Sequence, residues 1–411
     1  MTLPPQQVAS VRWAAVFPWL ILVRAARVAL MMRVIFLALI GVAATSGGWL
    51  LVESSPLGDR ALGELQAEPQ ARISPPRSLA LPAPGEPETM VIQSSYAPGP
   101  LVGAWRWVIQ PFTNMPRAAG WRSQLALLLA GIWSLCVWAL FGGAIARIAG
   151  VYLACGETIG PLAALRASAR TWRSAVGALL LVALAITLLA LPLVLAGLLL
   201  RSDVMALLLG FAWIIALCGG AATAILAIGL GFGWPLMWST VAVERTDSFD
   251  AISRGFAYLY QRPLHLLFYF TAASVLGALA QFAVDFGVRT TTAATDVAVG
   301  IGAGEGRLRD LGWDGNGVSH DLSEVGEFGA TAIQFWTNAV RAAARYFPLA
   351  YFWPATTAIY LLLRRDIDGA EMTEVAFDEG EPKPGLPRLT PDAATGVPQV
   401  ERSPDGATPT E

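Results

Sequence analysis

The sequence predicts an all-α fold: a polytopic transmembrane helical bundle of about six spans, with amphipathic interfacial helices and a disordered C-terminal tail. Apolar residues make up 55% of the 411 residues and charged residues only 14%, whereas about a quarter of a soluble domain is charged. The mean hydropathy is +0.54. The apolar residues also form runs of about twenty, which is the length that crosses a bilayer as a helix. Together these observations predict an integral membrane protein.

The first long apolar run, 34–52, is bracketed by Arg33 and Glu53. At a rise of about 1.5 Å per residue it covers roughly 28 Å, close to the thickness of the hydrocarbon core. A cleavable signal peptide is the competing interpretation, because 31–33 resembles a start and 42–44 a small-residue cleavage site. The 33 residues before the run, and its continuation through Trp49 to Val52, favour a transmembrane helix.

Apolar runs and the Pro- and Gly-rich stretches between them divide the whole chain. The Pro-rich segment after the first run and the acidic, Pro-rich tail cannot bury enough apolar area to fold alone. The predicted division is a cytoplasmic N-terminal segment with an amphipathic helix, 1–33; span 1, 34–52; an extracytoplasmic Pro-rich loop, 53–122; span 2, 123–145; a cytoplasmic amphipathic helix, 146–175; span 3, 176–200; span 4, 204–234; a second such helix, 235–263; span 5, 264–284; an extracytoplasmic loop with an amphipathic helix, 285–345; span 6, 346–363; and a cytoplasmic disordered tail, 364–411.

Arginine clusters predict the orientation, since basic residues in short loops favour the cytoplasmic side. Clusters at 12–33, 147–173, 245–262 and 364–365 all become cytoplasmic when the N-terminus is placed inside. Arg341 and Arg345 run against this assignment. The prediction is a multi-pass protein of the bacterial inner (cytoplasmic) membrane with both termini in the cytoplasm.

Amphipathic stretches at 13–30, 161–170 and 248–257 precede spans 1, 3 and 5. One interpretation is a three-fold repeat of a surface helix followed by a transmembrane hairpin. The alternative is that Arg-rich loops simply flank membrane helices, as they commonly do. The sequence leaves both open.

Small residues at four-residue spacing mark faces where membrane helices approach closely. Span 4 carries such a stripe, and shorter ones occur in spans 2 and 1. We interpret these stripes as packing faces within the bundle, rather than as a dimer face or a substrate path. Their residues are Ala212, Ala216, Gly220 and Ala224 in span 4, Gly142, Ala146 and Gly150 in span 2, and Ala44 and Gly48 in span 1.

No catalytic, cofactor-binding or metal site is predicted, and the chain is not expected to be an enzyme or to need a cofactor. The sequence has no P-loop, Rossmann fingerprint, H-E-x-x-H or G-x-S-x-G motif, and the glycines of 229–233 lie in an apolar helix. Three isolated cysteines and two isolated histidines form no ligand pattern: Cys136, Cys155, Cys218, His265 and His320. Asp285 and Arg289, with Gln281 one turn away, are interpreted as an interfacial pair at the end of span 5. The net charge of −2 indicates no nucleic-acid partner.

Three segments carry a resemblance to known proteins: 141–149 (FGGAIARIA), 258–263 (YLYQRP) and 359–369 (IYLLLRRDIDG). Over 11–370 the chain resembles an uncharacterised family of bacterial six-span integral membrane proteins. Its layout is loosely similar to the membrane domain that precedes the catalytic domain in some glycerophosphodiester phosphodiesterases. The His and acidic residues that such a hydrolase needs are missing here. The resemblance therefore implies an architecture and no reaction.

The leading functional hypothesis is a non-catalytic membrane protein that organises lipids or membrane-protein partners. The alternative is a permease-like transport subunit coupled to a separate ATPase through a cytoplasmic helix at 248–263; a membrane-embedded enzyme comes third. The expected partners are the lipid bilayer and a membrane-protein partner, without nucleic acid. No oligomeric state follows from the sequence.

Overall fold

A computed structural model describes residues 17–56, 99–118, 120–311, 322–372, 374–376, 389–391 and 398–400. These residues are helical apart from short connections and one antiparallel pair of three-residue strands. The predicted all-α class is confirmed. The predicted loop at 53–122, the tail and His320 fall largely or wholly outside the described residues.

Eleven α-helices lie in the described residues. Short 3-10 helices at Pro18–Leu20 and Met115–Arg117 accompany them, and strands β1 (Leu389–Pro391) and β2 (Pro398–Val400) follow. The α-helices are α1 (Ile21–Ala29), α2 (Met32–Glu53), α3 (Pro100–Asn114), α4 (Trp121–Cys155), α5 (Pro161–Leu199), α6 (Asp203–Phe211), α7 (Trp213–Glu244), α8 (Ser248–Gln261), α9 (Pro263–Ala303), α10 (Glu305–Asp310) and α11 (Glu324–Asp368).

Five of the described helices, α2, α4, α5, α7 and α9, are long and apolar enough to cross a membrane. They establish a multi-pass membrane protein. The sixth predicted span, 346–363, lies inside α11, which is not among these five. Prolines, threonines, tyrosines and a tryptophan lower its hydropathy.

The less apolar segment of α11 occupies the centre of the bundle. Every residue from Phe347 to Arg364 is buried, and α11 contacts α1, α2, α3, α4, α7 and α9. Most of its hydroxyls donate to nearby backbone carbonyls: Thr357 Oγ1 donates to the Trp353 carbonyl at 2.8 Å, and Tyr351 donates to the Ala273 carbonyl at 2.7 Å. A helix surrounded by protein need not be as apolar as one that faces lipid.

A layer of tryptophans packs around α11. The Trp353 ring stacks on Trp138 and Trp238, with centroids 5.7 and 5.4 Å apart. Glycines make room for these rings. A Cβ at Gly142 would lie 2.5 Å from Trp353, and one at Gly150 would lie 2.9 Å from Val243. The predicted packing face in span 2 is therefore confirmed.

The predicted packing face in span 4 is wrong. A Cβ at Gly220 would meet nothing within 4 Å, and Ala224 is exposed. The outer halves of α5 and α7 form a hairpin whose side chains are mostly exposed, and its contact near Gly219 is with Leu193. The stripe fails as a predictor because an Ala- and Gly-rich helix produces four-residue spacing on more than one face.

Span 4 also differs in its ends. The helix is interrupted at Ala212, between α6 and α7. Pro235, which directly follows the predicted end of span 4 at residue 234, lies inside α7. Ser239 Oγ donates to the Pro235 carbonyl at 2.9 Å. Because proline has no N–H, the carbonyl that loses its helical partner is that of Gly231, four residues earlier, and the Ser239 bond does not replace it.

Within the described residues, the three amphipathic stretches are mainly helical and pack buried side chains on the bundle. In α1, Leu22 and Ala25 are buried against α11, while Arg24 donates to the carbonyls of Tyr152 and Leu153 at 2.9 and 3.1 Å. In α8, Gly255 lies against Gly233 of α7. These helices fix the ends of the long helices relative to one another.

Candidate functional site

The most elaborate polar arrangement among the described residues lies where α7, α8 and α11 meet. Glu244 is the last residue of α7, and side chains of α8 and of the end of α11 converge on it. None of these residues was predicted from the sequence to have a functional role. We call this group the Glu244 cluster; its members are Glu244, Arg254, Tyr258, Tyr360, Arg364 and Asp368.

The Glu244 carboxylate joins the three helices. It pairs with Arg254 Nη1 at 2.5 Å and with Arg364 Nε at 2.9 Å, and the Tyr360 hydroxyl donates a hydrogen bond to it. The side chains of Glu244 and Arg364 are only 11% and 10% exposed. A charge so far out of water requires a partner, because an isolated buried charge is strongly unfavourable.

Asp368 forms the second acidic point of the cluster. The Tyr258 hydroxyl donates to Asp368 Oδ2 at 2.5 Å, and Arg254 Nη1 lies 3.9 Å from the same oxygen. Burial, and then the hydrogen bond to Asp368, raise the pKa of Tyr258 far above its ordinary value. The phenol therefore stays protonated and acts as a donor. Two arginines thus face two carboxylates.

The segment 374–376 docks beside the cluster. Arg364 Nη1 donates to the Glu374 carbonyl at 2.7 Å, and Arg364 Nη2 pairs with the Glu374 carboxylate at 3.2 Å. The Ala376 backbone N–H donates to the Val243 carbonyl at 3.2 Å, and Arg147 Nη2 donates to the Ala376 carbonyl at 2.6 Å. The chain after α11 is therefore held against the end of α7.

An apolar cleft of about 400 Å³ lies next to the cluster, between α3, α7, α8, α9 and α11. Its floor is buried, and its rim includes exposed side chains such as Phe232 and Leu267. Thr356 Oγ1, the one hydroxyl in the lining, already donates to the Trp353 carbonyl at 3.0 Å. The lining residues are Val102, Trp105, Phe232, Pro235, Leu236, Leu259, Pro263, Leu266, Leu267, Phe270, Phe352, Thr356 and Ile359.

The Glu244 cluster holds its charges in internal pairs, and the cleft offers apolar surface. In the part of the chain that the structure describes, no three His, Cys, Asp or Glu side chains lie close enough together to hold a metal ion. Cys136 and Cys155 are half-buried, Cys218 is exposed, and the His265 ring lies edge-on to Tyr269.

Two of the three glycines of 229–233, Gly229 and Gly233, pack against neighbouring residues, whereas a Cβ at Gly231 would meet nothing within 4 Å. A Cβ at Gly229 would collide with the Phe256 ring, and one at Gly233 would lie 3.6 Å from the Gly255 carbonyl oxygen. These glycines let α8 lie close against α7. They form no phosphate-binding loop.

Comparison of the chain with known protein families, curated proteins and solved structures finds no match. What stands is a helical protein with five apolar helices of membrane-spanning length. Two of the segments that carried the resemblance, 258–263 and 359–369, supply most of the Glu244 cluster. The sequence could therefore point to these residues, because they are polar and lie within or beside apolar runs. It could not predict which of them pair with one another.

Proposed function

We propose that this protein is a non-catalytic, multi-pass membrane protein that holds an acyl chain of a bilayer lipid in the apolar cleft. The observation that carries the proposal is the cleft itself. Its volume of about 400 Å³ falls within the range of roughly 300–1,000 Å³ typical of small-ligand pockets. An apolar chain fits because the lining leaves no hydroxyl without a partner.

The position of the cleft supports this occupant. Its rim joins the exposed apolar surfaces of α7 and α9, which in a bilayer face hydrocarbon. A lipid chain reaches such a cleft sideways from the membrane. Leu236, Phe352 and Ile359 form a buried floor, so a bound chain contacts well-packed side chains instead of mobile lipid.

The charged layers support a membrane-spanning orientation of α11. Arg345 and Arg364 are 19 residues apart in this helix, which at 1.5 Å per residue separates them by about 28 Å, close to the hydrocarbon thickness. The residues between them, apart from Tyr346, are buried. We place the Glu244 cluster at the cytoplasmic face of a bacterial inner membrane, with both termini inside, on the strength of the arginine clusters.

The alternative of a permease-like subunit needs α8 as an exposed coupling helix. Arg254 and Tyr258 of α8 instead point into the Glu244 cluster, and Ala251 and Gly255 are buried. No further feature of α8 favours a partner ATPase over internal packing. We therefore prefer lipid organisation as the function.

The experiment is native mass spectrometry of the protein purified from membranes in mild detergent, with identification of retained lipids. Leu266→Trp, which fills the cleft, should lower the fraction of lipid-bound protein. Leu264→Trp is the matched control, because Leu264 lies on the same helix, is exposed and does not line the cleft. Equal lipid retention in the wild type and both variants would contradict the proposal.

A further inference from the structure

A second cavity lies between α9 and α11, far from the Glu244 cluster. Its volume is about 260 Å³, and its lining includes Arg289, Arg341 and Arg345 together with Asp285 and Thr292. Three arginines therefore line one small space, and two of them, Arg289 and Arg341, are exposed. Arg341 and Arg345 are also the residues that run against the charge rule for orientation, so their position calls for an explanation other than topology.

The base of the cavity is built from fixed polar groups. Gln281 Nε2 donates to Asp285 Oδ1 at 2.9 Å and to the Ala344 carbonyl at 3.1 Å. Both Gln281 and Asp285 are buried. These bonds tie α9 to α11 and set the distance between the helix faces that carry the arginines.

The charges around the cavity do not balance. Asp285 is the only acidic lining residue, and it interacts electrostatically with Arg289. Within the described ranges, no carboxylate lies within 4.0 Å of the arginines at 289, 341 or 345. Asp296, one turn beyond Thr292, is the next acidic side chain on this face of α9 and does not line the cavity. The cavity therefore carries an excess of positive charge.

We propose that this cavity binds a phosphate-bearing anionic group through Arg289, Arg341 and Arg345; the Thr292 hydroxyl in its lining already donates to the carbonyls of Val288 and Arg289 at 3.0 Å. Guanidinium groups present paired N–H donors that match phosphate oxygens. The Asp285 carboxylate, which accepts a hydrogen bond from Gln281, repels an anion and so keeps a bound phosphate on the arginine side of the cavity. The proposal concerns a site separate from the apolar cleft and does not depend on the lipid in that cleft.

The level of the cavity across the bilayer is compatible with two sources of the phosphate group. Ala344 is 20 residues before Arg364 in α11, which places the cavity about 30 Å from the Glu244 cluster, at the level of the headgroups of the opposite leaflet. The phosphate of an anionic lipid and a phosphate from the aqueous side share the required chemistry. The experiment separates them.

The test measures binding to the purified full-length protein in detergent, with inorganic phosphate in one arm and phosphatidylglycerol in mixed micelles in the other. Phosphatidylcholine, which has no net charge, is the neutral comparison. The variant Arg341→Gln/Arg345→Gln should bind about tenfold more weakly or worse, since a hydrogen bond to a charged group contributes that much to affinity. Arg201→Gln, at the exposed turn before α6, is the matched control and should bind like the wild type.

Saturable binding of phosphatidylglycerol alone supports the proposal with a lipid headgroup as the source. Saturable binding of inorganic phosphate supports it with a free phosphate group. The proposal is overturned if neither probe binds the wild type, or if the double variant binds as tightly as Arg201→Gln. If the double variant does not fold, Arg289→Gln is measured in the same way, and unchanged binding in that variant also overturns the proposal.

Discussion

Gly142 of α4 lies directly against the indole of Trp353 in the central helix α11. A Cβ at position 142 would be 2.5 Å from Trp353 Cε2, a distance that atoms in a packed core do not adopt. The ring in turn stacks on Trp138 and Trp238. The closest approach of α4 to the centre of the bundle therefore depends on a residue without a side chain.

Gly142→Ala should destabilise the protein because Trp353 has no free space into which to move. Overpacking of this kind typically costs about 1–3 kcal/mol, seen as a lower melting temperature in detergent. Gly220→Ala is the control, because a Cβ there meets nothing within 4 Å and alanine favours a helix over glycine by about 1 kcal/mol. The two variants should shift the melting temperature in opposite directions; equal shifts would contradict the packing described for α4.

Glu244→Gln should weaken the junction of α7, α8 and α11. The change leaves Arg364 without one of its carboxylates at a side chain that is 10% exposed, and breaking a buried ion pair costs roughly 3–5 kcal/mol. Asp250→Asn removes an exposed partner of Arg254; Asp250 Oδ2 lies 3.6 Å from Arg254 Nε. This change should cost about 0–1 kcal/mol. Thermal unfolding of both variants in the same detergent compares them. A Glu244→Gln variant as stable as Asp250→Asn would show that the cluster contributes nothing to stability.

Truncation at two points tests the docked segment after α11. A chain ending at Ala376 keeps the bonds from Arg364 and Arg147 to the segment, so its melting temperature should equal that of the full chain. A chain ending at Met372 loses both and should melt lower, since each hydrogen bond from a charged group contributes about 1.5–3 kcal/mol. The same melting temperature for both truncations would mean that 374–376 does not hold the bundle end together.

Cysteine labelling tests the orientation. In a variant lacking the three native cysteines, Ser202→Cys should react with an impermeant thiol reagent in intact cells, and Ala169→Cys only after lysis, because the arginine clusters place 146–175 inside. Both positions are exposed. Ser168 is unsuitable, since its hydroxyl is buried and donates to the carbonyls of Ala139 and Leu140 at 3.0 and 2.8 Å. Labelling of Ala169→Cys in intact cells would contradict the predicted orientation and place 146–175 outside the cytoplasm.

The long helices were predictable because hydropathy is a local property. The predicted first span, 34–52, differs from α2 by only a residue or two at each end. The amphipathic stretches were predictable for the same reason. Their partners were not, because an apolar face with a period of 3.6 residues fits a lipid interface and a protein groove equally well.

The Glu244 cluster lay beyond sequence reasoning because its pairs are far apart in the chain. Tyr258 and Asp368 are 110 residues apart, and Tyr360 and Glu244 are 116 residues apart. Each residue, taken alone, is an ordinary polar group near the end of an apolar run. Only the packing of α7 and α8 against α11 brings them together.

The burial of α11 sets an order for biogenesis. Among the described long helices it comes last in the chain, so the ribosome delivers the centre of the bundle after α2, α4 and α7 have entered the membrane. Until the segment around Trp353 is synthesised, the surfaces of α2, α4 and α7 that pack against it lack their partner. A nascent chain halted before Tyr346 therefore contains the surrounding helices without the central segment of α11. Its exposed tryptophans would be a feature that cellular quality control can recognise.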